Sequence, residues 1–203
     1  MRIHLHPENP QQRNLNTIVK TLEEGGVIIY PTDTIYGLGC DINSTKAIER
    51  ICQIKGIQPS KAQFSFICND LSDLSKYTRS IGTPLYRILK AYLPGPFTFI
   101  LPASREVPKI LKSKRNTIGL RIPDNPIAMA IVKALGRPIL STSLPPAEGI
   151  EYTDPEEIHD QFYKLVDLVV DGGPGGLNPS TVIDFTENEP VILRQGSGIF
   201  ENI

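Results

Sequence analysis

Apolar residues recur along the 203-residue chain in two alternating rhythms. Leu15, Ile18, Val19 and Leu22 fall at i, i+3, i+4 and i+7, which predicts a helix with one buried stripe that Gly25-Gly26 stops. Val27-Ile28-Ile29-Tyr30 follows as a short continuous apolar run, the mark of a buried strand. A second helix starts after Ser44 as N-cap, buries Ala47, Ile48, Ile51 and Cys52, and ends at Gly56. Residues 64–68 read as a strand. Thr83-Pro84 opens a helix with Leu85, Ile88, Leu89 and Tyr92 inward, since Pro is tolerated in a first turn. Strands are expected at 97–101 and 117–122, then a helix from Asn125-Pro126 to Gly136, then a strand at 138–142. Thr153-Asp154-Pro155-Glu156 has capping-box spacing and opens another helix, and strands at 166–170, 181–184 and 191–193 complete the chain. Seven or eight strands with five or six helices make a layered α/β domain. The late strands are joined by loops too short for crossover helices, so part of the sheet is antiparallel. The expectation is a single domain over residues 1–203, a mixed sheet with flanking helices. No linker, repeat or low-complexity tract interrupts it.

Composition narrows the function classes. A hydrophobic fraction of 40% supplies an ordinary core. The net charge of −1 and the isoelectric point near 6.3 provide no global field for nucleic acid, so any such binding needs a local patch. The densest basic segment holds Lys109, Lys112, Lys114 and Arg115 and reads first as a solvated helix face. Three scattered cysteines, Cys40, Cys52 and Cys68, argue against a disulfide framework or zinc knuckle and fit a reducing, cytoplasmic setting. The N-terminus lacks a signal-peptide apolar run, and no stretch approaches membrane-spanning length. His4 and His6 could share one strand face, but without a nearby third ligand no metal site is expected.

The candidate chemistry sits at strand ends. Tyr30-Pro31-Thr32-Asp33-Thr34-Ile35-Tyr36-Gly37 leaves a strand through Pro and crowds hydroxyls and a carboxylate into a few residues, as a turn or a site would. Lys55-Gly56 closes a helix, with Lys61 just beyond; a lysine there can simply neutralise the helix dipole. Pro94-Gly95-Pro96-Phe97-Thr98 is a stiff lead into a strand. Arg121 lies within the apparently buried strand Thr117-Ile118-Gly119-Leu120-Arg121. A buried guanidinium needs an anion, either a protein carboxylate or a ligand carboxylate or phosphate gripped by its planar fork. Ser141-Thr142-Ser143 ends another strand, Gly172 to Gly176 leads to Ser180-Thr181, and Arg194-Gln195-Gly196 closes the series. The glycine loop could turn N–H groups toward phosphate, but it lacks the Lys-Ser/Thr ending of a Walker loop. There is no Ser-His-Asp pattern and no cysteine set up for catalysis. The kit suits binding and positioning anions, with no protein nucleophile.

In this order these segments resemble the YrdC-type threonylcarbamoyl-AMP synthase family from about residue 12 to residue 197. The resemblance rests on Pro31 to Leu38, Lys55-Gly56, Pro94 to Thr98, Gly119 to Pro123, Ser180 to Asp184 and Arg194 to Gly196. It implies a twisted open α/β sheet with a large concave cavity. It also implies condensation of L-threonine, bicarbonate and ATP to threonylcarbamoyl-AMP and pyrophosphate, which feeds N6-threonylcarbamoyl modification of adenosine in tRNA. Carried over, Thr34, Arg121 and Ser180 hold threonine, with Arg121 on its carboxylate and Ser141 contributing its backbone. Lys55, Thr117, Ser143 and Arg194 hold ATP, and Mg2+ screens the triphosphate. Two departures stand out: Ile57-Gln58 where the family carries a second cation, with Lys61 as the nearest substitute, and Leu144-Pro145 where it carries an asparagine. These departures and the extended start from His6 to Arg13 resemble the YciO branch. Two alternatives follow: a double-stranded RNA- or tRNA-binding protein without this catalysis, and a carbamoyl or adenylyl transferase acting on another amine. The expected assembly is a monomer or homodimer.

Overall fold

Alternating buried runs become one twisted sheet in the computed structural model, which describes residues 1–111, 116–147, 149–187 and 189–201. Ten strands are present among the described residues: β1 (Arg2–His4), β2 (Val27–Tyr30), β3 (Gly37–Asp41), β4 (Ser65–Ile67), β5 (Phe97–Pro102), β6 (Thr117–Arg121), β7 (Ile139–Ser143), β8 (Leu168–Asp171), β9 (Thr181–Asp184) and β10 (Val191–Arg194). Their order is β1-β8-β2-β3-β7-β4-β6-β5-β9-β10. Pairs β1/β8, β2/β8, β4/β6 and β5/β9 are parallel and the other five antiparallel, so the sheet is mixed, as the short late loops predict. Six α-helices flank it: α1 (Gln12–Glu23), α2 (Thr45–Ile54), α3 (Leu71–Tyr77), α4 (Thr83–Tyr92), α5 (Pro126–Leu135) and α6 (Pro155–Phe162). The chain is a single-domain α/β fold.

Local signals set most boundaries. Ser44 caps α2 by accepting from the Ala47 N–H, and Asn125 caps α5 by accepting from that of Ala128. Gly56 and Gly136 sit at φ +63° and +71°, which lets the chain leave α2 and α5 without a Cβ penalty. Three elements differ from expectation. β1 is only three residues long and α3 only seven, too short to show a period. β3 reads Gly-Leu-Gly-Cys-Asp, and its glycines resemble a turn although the strand is fully buried. At α6 the cap is Asp154, accepting from the Glu156 N–H at 2.7 Å, and not Thr153. β1 ends at His4, so His6 is not on that strand; no group of three or more His, Cys, Asp or Glu side chains able to hold a metal is found among the described residues. Lys109 lies in a short 3-10 turn, while Lys112, Lys114 and Arg115 of the expected basic face lie outside the described residues. All three cysteines are free and buried.

The two faces of the sheet are used differently. One face carries Val27, Ile29, Leu38, Phe66, Phe99, Leu120, Leu140 and Ile183 and is closed by residues of α2, α3, α4 and α6. The other face is closed only in part: α1 and α5 cover Ile28, Tyr30, Ile67, Ile139, Leu168 and Val170. Beyond them one row of cross-strand partners runs Gly39, Ser141, Ser65, Gly119, Ile100 and Asp184. Small residues at the middle of that row cannot fill the space above the sheet. A hollow therefore forms where a second apolar layer would otherwise pack. The last strand, β10, is exposed at all four residues and pairs only with β9.

Candidate functional site

The hollow is a cavity of about 780 Å³. Its floor is the hydroxyl and glycine row, with Gly37, Ser65, Gly119, Ser141 and Ser143 all lining it. A Cβ on Gly119 would sit 3.1 Å from the Phe64 carbonyl oxygen, so the bare backbone keeps this stretch of floor low. Among the described residues Lys55, Lys61, Arg121 and Arg194 reach it, against one lining carboxylate, Asp184. Asp184 is already engaged by Thr186, whose N–H and hydroxyl donate to it at 2.8 and 2.6 Å. The rest of the wall is mixed, with Ile57, Phe64, Ile100, Leu111 and Val182 beside the polar Thr32, Gln63, Thr98 and Thr142.

Seven of the eight expected site residues line this cavity: Lys55, Thr117, Arg121, Ser141, Ser143, Ser180 and Arg194. Residues 55, 117–121, 141–143, 180 and 194 come from five separate parts of the chain; the sheet order brings β6, β7, β9 and β10 into place, and α2 ends where Lys55 reaches over them. Lys55 leaves the end of α2 and donates to the Ser143 carbonyl at 2.6 Å, and burial pulls its ammonium pKa down. It therefore does more than neutralise its own helix. Lys61 lines the same cavity, as a stand-in for the missing second cation would. Arg194 donates twice to the Ser180 carbonyl, at 3.1 and 2.9 Å, and Ser180 Oγ lies 2.8 Å from Thr98 Oγ1. Burial first, and the Arg121 charge second, pull the Arg194 pKa down. Tyr30 donates to Ser141 Oγ at 2.7 Å; burial pushes the phenol up to about 12, so it stays a donor at neutral pH.

Arg121 does not wait for an external anion alone. Its Nη2 pairs with the Asp33 carboxylate and donates to Thr34 Oγ1 at 2.8 Å. The side chains of Arg121 and Asp33 are each 9% exposed. The other Asp33 oxygen accepts from the Asp124 N–H at 3.1 Å. The protein carboxylate that could have partnered a buried arginine is thus Asp33. Arg121 still lines the cavity, and its Nε is buried without a partner among the described residues. Thr34 lies behind this pair and does not line the cavity, its hydroxyl also 3.1 Å from that of Thr32; Thr32 is the threonine that reaches the space. The glycine loop does not cradle an anion either. Gly175 and Gly176 donate to the Thr153 and Thr34 carbonyls, and Gly173 to Asp171. A Cβ on Gly176 would lie 2.4 Å from the Thr34 oxygen, so this loop braces the back of the Thr32–Thr34 turn.

Thr32 and Asp33 were read only as members of the Tyr30 to Gly37 turn-or-site segment, with no role of their own, and Ser65 and Asp184 were not read as site residues. Only Asp33 carried a usable signal, an acid four residues before the hairpin strand β3. Its pairing across 88 residues is a tertiary fact.

A family model described as "Telomere recombination", of the Sua5, YciO and YrdC proteins, matches residues 20–196. The uncharacterized protein YciO of Escherichia coli K12 is 49% identical over 198 residues, 96% of this chain and 95% of its own. The crystal structure of E. coli YciO superposes with a TM-score of 0.91, covering 98% of this chain and 97% of that one. A threonylcarbamoyl-AMP synthase of Vibrio vulnificus YJ016 is 32% identical over 187 residues, 90% of this chain and 98% of its own. Pyrococcus abyssi Sua5, in a structure with L-threonine, matches with a TM-score of 0.86 at 28% identity, over 97% of this chain but 57% of that longer one. These similarities place the chain in the Sua5/YciO/YrdC family.

Proposed function

We propose that this protein condenses L-threonine, bicarbonate and ATP to threonylcarbamoyl-AMP and pyrophosphate. The observation that carries the reading is the gathering of Lys55, Lys61, Arg121 and Arg194 over a hydroxyl-rich floor in one cavity. At about 780 Å³ that cavity falls in the upper part of the ~300–1,000 Å³ range of small-molecule sites. Four cations against one carboxylate favour a polyanion. The relatives named as threonylcarbamoyl-AMP synthases, and the threonine held by P. abyssi Sua5, support threonine as the second substrate.

In this reading Arg121 takes the threonine carboxylate on the part of its guanidinium that Asp33 and Thr34 leave, and Arg194 and Ser180 act as one unit beside it. Lys55, Thr117, Ser143 and Arg194 receive the nucleotide, with Lys61 as a second lysine in the same cavity. The threonine amine takes up bicarbonate with loss of water, or carbon dioxide with loss of a proton, to give a carbamate. A carbamate oxygen then attacks the α-phosphorus in line, and pyrophosphate leaves. The protein supplies position and charge, and no side chain becomes a nucleophile. The described residues build no metal cage of their own, so any Mg2+ arrives with the ATP as part of the substrate.

The test is pyrophosphate release with each reactant omitted in turn. Release should require all three. Equal release without L-threonine refutes the reading. One observation favours a different amine: Ile57, beside Lys55, puts an apolar side chain into the cavity wall. A panel of amino acids separates the two, since stimulation by L-threonine alone removes the alternative.

A further inference from the structure

The Arg121–Asp33 pair does more than anchor a side chain. Nη2 carries two hydrogens, and Asp33, Thr34 and, at 3.4 Å, Thr32 already surround it. Nε is buried with no partner among the described residues, on a side chain that borders the cavity. A buried guanidinium N–H without an acceptor is costly, which points to an acceptor delivered by a ligand. The charges nearby can be counted. Arg121 and Arg194 both line the cavity and contribute two positive charges; Asp33 contributes one negative. Lys55 and Lys61 line it too, and Asp184 is the carboxylate in its wall. Counting only Arg121, Arg194 and Asp33, the Arg121 subsite carries a surplus of one positive charge.

Accepting that Arg121 faces a ligand, as the proposed function requires, we propose that Asp33 is a specificity-determining residue that tunes this subsite to a singly charged anion. A carboxylate neutralises the surplus. A phosphate or sulfate dianion leaves an excess negative charge beside Asp33, and Coulomb repulsion scales with the added charge. Asp33 thereby keeps phosphates from occupying the place of an amino-acid carboxylate and leaves them to the lysines. Because Asp33 and Arg121 are both largely shielded from water, this discrimination is weakly screened.

The test uses the full chain, with sulfate as the dianion and L-threonine as the carboxylate, each titrated calorimetrically and in competition. Asp33→Asn removes the charge and keeps the size. Sulfate should bind at least tenfold more tightly to it than to the parent, while L-threonine gains no more than about the square root of that factor. The sulfate gain should vanish in Asp33→Asn/Arg121→Gln. Arg194→Gln shifts the count the other way and should weaken sulfate more than L-threonine; this arm stands even if Asp33→Asn does not fold. Unchanged sulfate binding by folded Asp33→Asn overturns the proposal, as does a gain that survives loss of Arg121 or an Arg194→Gln that weakens both ligands equally. If L-threonine binds none of these proteins while sulfate follows the pattern, the proposed function fails and the charge assignment stands.

Discussion

Replacing Arg121 by Ala should destabilise the protein before it says anything about ligands. The substitution leaves Asp33, 9% exposed, with the Asp124 N–H as its remaining named donor. Removing one member of a buried ion pair costs about 3–5 kcal/mol. The variant also deletes the unpartnered Nε, which returns about 1 kcal/mol of an existing penalty. The net loss is therefore roughly 2–4 kcal/mol. Unfolding entropy near ~2.1 cal/mol/K per residue over 203 residues converts this to a fall of roughly 5–9 °C in melting temperature. Urea unfolding of the parent, Arg121→Ala, Asp33→Ala and the double variant measures the pair directly. The double variant should lose much less than the sum of the singles, with a coupling of at least ~2 kcal/mol. Additivity within ~0.5 kcal/mol would mean that the two side chains do not depend on each other, and the electrostatic reasoning for this site would be wrong.

Lys55→Ala should leave stability nearly unchanged yet weaken ATP binding about ten- to a hundredfold, the value of a charge-assisted phosphate contact; calorimetry at fixed salt reads this, and unaltered ATP affinity removes Lys55 from the nucleotide site. Gly176→Ala drives a Cβ against the Thr34 carbonyl and should cost about 1–3 kcal/mol while disturbing Arg121, seen as a lower melting temperature together with weaker L-threonine binding. The alkaline limit of stability follows from groups whose folded pKa values are raised, chiefly by burial: the most buried are Cys40 and Cys68, and Tyr30 and Tyr36, each tyrosine pushed to about 12, with Tyr77, Cys52 and Tyr152 raised beside them. The unfolded chain releases these protons near about 8.5 for thiols and about 10 for phenols, while the native state keeps them. The associated stability is complete below about pH 8.5 and is lost as pH rises toward 12, so urea midpoints should fall steadily above pH 9; a flat profile to pH 11 contradicts the burial of these groups.

The strands and helices were legible wherever a segment was long and carried one period, as in α1, α2, α5 and β2. Capping chemistry at Ser44 and Asn125 fixed starts to the residue. Glycine in β3 hid a strand because its role there is to make room, which no single-chain pattern reveals. Six of the seven lining site residues were visible as polar positions in or beside strands, while Lys55, at the end of α2, and the role of each residue came from the family resemblance. Their mutual geometry was not. Thr32, Asp33 and Thr34 sit in one turn, but that Thr32 meets the cavity while Asp33 and Thr34 back Arg121 depends on contacts made 87 or 88 residues away. The Gly172–Gly176 loop looked like an anion cradle because N–H-rich loops can be one; here those donors are spent on neighbouring carbonyls, the Asp171 carboxylate and the Tyr36 hydroxyl.

Strand β10 delivers Arg194 to the cavity, yet it is the outermost ribbon and every one of its residues meets water. A lever so loosely anchored opens at low free-energy cost, whereas the buried strands β2 and β3 open only when the whole domain does. Any molecule clasped by Arg194 becomes a rivet for that margin of the sheet. Occupancy of the hollow should therefore be written in the amide exchange of residues 191–194, slowed by bound ligand far more than anywhere in the centre of the fold.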